Sequence, residues 1–241
     1  MSEGQHRGGA GPTRPEPPGG APAPRGGGVG SVTAFLAVGG VLTALACLLG
    51  WWVFTRGDQP FGIDVSWNAQ VTAWFNPVLL GFSRVMNWVG AGWFGVLVVP
   101  IGGAIGLVLL RRPWAAAYFL AAEAVSAGGV QVLKQLFGRV RPEEILVVSD
   151  YGSYPSGHVA NAATLAAAAV VIFPRIWVAV VGAAWVVLMA FSRTYLHAHW
   201  LSDTVGGALI GAGAALLVAA AFAVPMARER TDAPAKGPWL G

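Results

Sequence analysis

Apolar runs of roughly 18 to 24 residues recur along this chain almost without charge, at about 31–54, 93–110, 113–136, 157–173, 176–197 and 201–225. An α-helix of ~20 residues crosses the ~30 Å hydrocarbon core of a bilayer. In a chain that is 55% hydrophobic and 11% charged, this repetition excludes a pair of soluble domains. It predicts an all-α, polytopic membrane helical bundle with six transmembrane helices.

The segment between the first two runs has a different pattern. Val71, Trp74, Phe75, Val78, Leu79, Phe82, Val85, Met86 and Val89 fall at helical spacing, with Asn76, Ser83, Arg84 and Asn87 opposite. This predicts an amphipathic interfacial helix between spans one and two, broken at Pro77. Residues 1–30 hold ten glycines and six prolines and read as a disordered tail. Residues 31–225 then form one spanning domain and 226–241 a short second tail. The single cysteine, Cys47, excludes an internal disulfide and a cysteine-built metal site.

Basic residues set the orientation. Six spans put both termini on one side together with Arg111, Arg112 and Arg175, giving nine Lys and Arg there against six on the other. The positive-inside bias makes that side cytoplasmic. The formal charge of +4 is then a topology signal from scattered loop residues, not a nucleic-acid footprint.

The same alternation gathers three polar stretches at the outer level. "KQLFGRVRP" (134–142) ends the third span, "PSGH" (155–158) opens the fourth, and "SRTYLHAHWLSD" (192–203) joins the fifth to the sixth. Ser156 reads as a helix N-cap, and Gly157 lets a ligand approach backbone N–H groups that favour an anion. Lys134, Arg141 and Arg193 add positive charge, the arginines as forks that match phosphate oxygens. His199 and Asp203, four apart, share a face if helical. The carboxylate can then hold one imidazole N–H and turn the other nitrogen outward as a nucleophile. His158 is left as a proton donor, suited to neutral pH by an ordinary pKa near 6.5. "HAH" with Asp203 makes a poor metal site, because histidines two apart diverge on a helix. No metal and no cofactor is expected.

Together these motifs resemble the three-part signature of the type 2 phosphatidic acid phosphatase superfamily. The spacings match: lysine, six residues, Arg-Pro; the Pro-Ser-Gly-His run; then Ser-Arg, five residues, His, three residues, Asp. The resemblance covers Lys134 to Asp203, and the six-span layout extends it to about 31–225. It implies a helical bundle that hydrolyses phosphate esters or anhydrides without metal, through a phosphohistidine. On that pattern His199 attacks phosphorus, Asp203 orients it and His158 protonates the leaving oxygen. Lys134, Arg141, Ser156, Gly157 and Arg193 hold the phosphoryl oxygens. His197 stands where relatives often carry a small residue, and is read as a supporting or substrate-facing group. The related vanadium haloperoxidases share a similar anion pocket but are soluble.

The expected activity is therefore that of an integral membrane phosphatase at the outer face of a bacterial-type cytoplasmic membrane. Its partners are an amphiphilic phosphorylated lipid substrate and membrane lipids, with no nucleic acid. Phosphatidic acid, phosphatidylglycerol phosphate and polyprenyl diphosphates are candidates, because an interfacial site suits a substrate whose tail stays in the bilayer. A phosphotransferase of the same fold is one alternative. A non-catalytic lipid-phosphate binder or transporter is another, disfavoured because binding needs no nucleophile. Oligomeric state stays open: the small-residue run "GGALIGAGAA" suits packing within the bundle or against another chain. Glu123 lies eleven residues before Lys134, on the same helical face and ~16 Å deeper. A contact with Arg193 or a headgroup and a protonated structural role both fit it.

Overall fold

The computed structural model describes residue 1 and residues 29–90 and 92–232. The predicted tail over 1–30 lies almost wholly outside the described residues, as does the end of the second tail. Eight α-helices make up the described chain: α1 (Val29–Thr55), α2 (Gly62–Ala73), α3 (Pro77–Gly90), α4 (Val99–Leu109), α5 (Pro113–Phe137), α6 (Gly157–Ile172), α7 (Ile176–Tyr195) and α8 (Leu201–Asp232). A π-helical turn, Phe94–Val98, leads into α4.

Local chemistry sets several ends. Pro77 and Pro113 open α3 and α5, where a missing N–H costs nothing. Asn76 Oδ1 caps α3 by accepting the Leu79 N–H at 2.9 Å. The Glu229 carboxylate accepts the N–H groups of Trp114 (2.6 Å) and Ala115 (3.3 Å), fastening the start of α5 to the last turns of α8. Gly138, at φ 50, terminates α5 in the left-handed conformation.

The chain is an integral, multi-pass membrane protein with an all-α bundle. Four helices (α1, α5, α7 and α8) are long and apolar enough to cross a bilayer, and α3 with Phe94–Leu109 forms a fifth candidate bent by 47°. The expected fourth span, α6, has 16 residues, or ~24 Å, short of a full hydrocarbon thickness. It packs among α3, α5, α7 and α8, so protein rather than lipid surrounds much of it.

The predicted break at Pro77 is present, between α2 and α3. The polar side of the amphipathic pattern is used differently from expectation. Ser83 is buried and Asn87 bonds into α7, while Val78, Val85 and Trp88 are exposed. Ser83 and Asn87 turn toward the bundle, whose interior offers hydrogen-bond partners that lipid cannot, while Arg84 stays exposed.

The small residues of α8 let it pack inside the bundle, against α1, α5 and α6. A Cβ on Gly207 would come within 2.5 Å of the Ser156 carbonyl oxygen, and one on Gly211 would collide with that of Ala160. These two glycines set how closely α8 approaches the start of α6.

Candidate active site

The end of α5, the loop 138–156, the start of α6, the end of α7 and the start of α8 meet at one end of the bundle. Lys134, Gly157, His158, Arg193 and His199 line a single cavity of about 560 Å³ there. The cavity continues down α5 to Glu123, Leu120 and Ile101, so the deep acid shares a chamber with the cationic cluster. Glu123 Oε1 is buried without a partner, and no bond to Arg193 forms.

His199 is held in a defined state. Its Nδ1 lies 2.7 Å from the Ser153 carbonyl oxygen. A carbonyl can only accept, so Nδ1 carries the proton and Nε2 the lone pair. Nε2 faces Arg141 Nη1 at 3.2 Å. Burial, then the positive charges of Arg193 and Arg141, lower the His199 pKa to about 4 against the opposing pull of Asp203. The ring is therefore neutral at pH 7, as attack on phosphorus requires.

Asp203 acts at one remove from where the spacing put it. Its Oδ2 is 3.8 Å from His199 Nδ1, beyond hydrogen-bond range. That oxygen instead accepts the Ser153 hydroxyl and the Trp200 N–H, the latter at 2.8 Å. Ser153 thus links the two, bonding the carboxylate by its side chain and the imidazole by its main chain. The other Asp203 oxygen accepts from Arg139 Nη1 at 2.5 Å.

Arg139 and Asp64 form a buried scaffold that sequence reasoning did not assign. Both side chains are fully buried; Arg139 Nη2 reaches Asp64 Oδ2 at 2.9 Å. Asp64 also accepts the Ser202 N–H (2.8 Å) and hydroxyl (2.7 Å), tying α2 to the start of α8. The available signal was the acid itself, in the otherwise uncharged "GIDVSW": a buried carboxylate needs a cation.

The remaining predicted residues are divided by their present bonds. Lys134 Nζ and Arg141 Nη2 both donate to Asp150 and to the Gly152 carbonyl. Burial lowers the Arg141 pKa from its usual value, with Asp150 opposing. Arg193 donates to Asn87 Oδ1, yet its buried Nε has no partner, and neither has Ser156 Oγ. Ser156 takes the N-cap position of α6 without a side-chain cap bond, so its hydroxyl remains uncommitted. His158 Nε2 pairs with the Asn87 carbonyl at 3.1 Å, which leaves Nδ1 to exchange a proton. His197 does not line the cavity. It bonds Asn68 Oδ1 at 2.8 Å and adopts φ 51, a left-handed backbone that glycine accepts more readily. Asn87, which periodicity placed on a polar helix face, is the second contributor to which sequence reasoning gave no role at the site.

A cationic pocket beside a neutral, oriented imidazole is chemically suited to binding a phosphoryl group. The PAP2 superfamily profile matches residues 115–226. Over 148 residues the chain is 30% identical to phosphatidylglycerophosphatase B of Bacillus subtilis, covering 57% of this chain and 70% of that one. It is 32% identical over 124 residues to lipid A 1-phosphatase of Rhizobium johnstonii, covering 46% of this chain and 49% of that protein. The match thus spans about half the length of that relative. The crystal structure of a transmembrane PAP2-type phosphatidylglycerolphosphate phosphatase from Bacillus subtilis superposes with a TM-score of 0.66 at 25% identity, covering 75% of this chain and 93% of that one. This chain belongs to the PAP2 superfamily, the type 2 phosphatidic acid phosphatases, and is classed as a PAP2-type phosphatase.

Proposed function

We propose that this chain hydrolyses a lipid phosphate or diphosphate through a covalent phosphohistidine on His199, without a metal. The carrying observation is the state of that ring: Nδ1–H fixed on Ser153, lone pair at Nε2 beside Arg141. Lys134, Arg141, Arg193, the Ser156 hydroxyl and the Gly157 N–H hold the phosphoryl oxygens. In the first displacement an Nε2–P bond forms, the P–O bond to the lipid breaks, and His158, as the imidazolium, gives its Nδ1 proton to the leaving oxygen while Nε2–H stays on the Asn87 carbonyl. In the second, water adds its oxygen to phosphorus and a proton to His158, the P–N bond breaks, and orthophosphate leaves. Asp203 positions His199 through Ser153.

Phosphatidic acid, phosphatidylglycerol phosphate and polyprenyl diphosphates are the substrate candidates. The lipid-phosphate names of the relatives support that class, as does a cavity running from the cations into an apolar cleft. Both termini are cytoplasmic, with α6 as the fourth of six spans, short and protein-wrapped, α2 and α3 near the outer interface, and the site at the outer face. Phosphate release from these three lipids, with EDTA present, tests the reading. The wild type should turn over at least one, and His199→Ala none. Normal hydrolysis by that variant would remove the nucleophile, and loss of wild-type activity to the chelator would remove the metal-free step.

A further inference from the structure

We propose that Asp150 is a built-in competitor for the phosphate seat, a specificity device that admits doubly charged phosphoryl groups and turns away phosphodiesters. This rests on the phosphatase reading above. Asp150 Oδ1 lies 3.1 Å from Lys134 Nζ and 2.8 Å from Arg141 Nη2. Two cations converge on one anionic oxygen, as they do on a phosphoryl oxygen.

The three side chains differ in freedom. Those of Lys134 and Arg141 are only 3% and 13% exposed, whereas that of Asp150 is 59% exposed. The carboxylate can therefore swing into water while the cations stay. Backbone carbonyls keep them in place: Gly152 O accepts from Lys134 at 2.7 Å and from Arg141 at 2.8 Å, and Ala198 O accepts from Arg141 at 2.5 Å. Asp150 is the exchangeable member of an otherwise fixed cradle.

The exchange favours charge. The carboxylate end of the pair is open to water, which screens its charge and weakens its hold, so a dianionic monoester that also engages the partnerless Arg193 Nε displaces Asp150 readily. A phosphodiester carries a single negative charge, about what the carboxylate already supplies. Bulk bilayer phospholipids are diesters, and a resident carboxylate makes them poor competitors. Specificity here comes from opposing the wrong ligand as well as attracting the right one.

The test uses the full chain in detergent, comparing wild type with Asp150→Asn, Asp150→Ser and Asp150→Glu. Calorimetric binding of inorganic orthophosphate should tighten about threefold to tenfold in the Asn and Ser variants and stay near wild type in Glu. KM for phosphatidic acid should fall more than kcat changes, and inhibition by the diester phosphatidylglycerol should strengthen. Orthophosphate binding that is unchanged or weaker in both Asn and Ser variants overturns the proposal. If the wild type binds orthophosphate and hydrolyses any of the three candidate lipids while that result holds, Asp150 alone is misassigned. If it binds no orthophosphate and hydrolyses none of the three, the phosphatase reading falls and takes this inference with it.

Discussion

The Ser153 carbonyl oxygen accepts the Nδ1–H of His199 at 2.7 Å, and that one contact fixes both the tautomer and the aim of the imidazole. Since the Ser153 hydroxyl donates to Asp203, the acid is linked to the histidine through the serine. The acid–histidine relationship is indirect.

Removing the hydroxyl should loosen the imidazole without deleting its partner. Ser153→Ala is expected to lower kcat about tenfold with little change in KM. Asp203→Asn, which also disturbs Arg139 and the start of α8, should lower it by ~10² or more. Equal activity in Asp203→Asn and wild type would show that the carboxylate positions nothing.

The lowered pKa of His199, about 4, gives a signed pH dependence. Above it the ring is neutral and nucleophilic; below it the lone pair carries a proton. The kcat/KM contribution from His199 should be flat from pH 5 to 7 and fall about tenfold per unit below pH 4. The same shift acts on stability. The unfolded chain, with its histidine near 6.5, binds the proton first, so stability should fall as pH drops from 6.5 toward 4. An acid limb centred near 6.5 and assigned to His199 would contradict this environment.

On the proposed reading Arg139 serves the fold and Lys134 the chemistry. Arg139→Ala leaves the buried carboxylates of Asp64 and Asp203 without their common cation and should cost about 3–5 kcal/mol. Arg139→Lys should rescue little, because one ammonium cannot reproduce the fork between two acids. Lys134→Ala should instead lose activity while melting near wild type in the same detergent.

Helix approach is coupled to the site. Gly207→Ala places a methyl against the Ser156 carbonyl and should push the start of α6 away from α8. A loss of about 1–3 kcal/mol is expected, with a kcat/KM drop of about tenfold although no substrate-contacting group has changed. Unaltered melting and turnover would show that the two helices can separate freely.

The charged end of the bundle was legible because ionisable groups are conspicuous in an apolar chain, and alternating spans bring Lys134, His158 and Arg193 to one level. Asp203 was located but its contact was not. Four-residue spacing implies a shared face only within a helix, and α8 starts at Leu201, after His199. Periodicity marked Asn87 as polar-faced, yet a period cannot say what the face meets, which here is Arg193. Asp64 lies 75 residues from Arg139, and only tertiary packing joins them. Hydropathy also could not distinguish a lipid-facing span from α6, whose short length is matched to protein neighbours.

The most direct test is to quench, within milliseconds, turnover of a ³²P-labelled candidate lipid that the wild type hydrolyses, and to map the label on the protein. The account predicts an acid-labile, base-stable phosphoramidate at Nε2 of His199, absent from His199→Ala. Label at Nδ1, label on another residue, or full turnover by the alanine variant would contradict it.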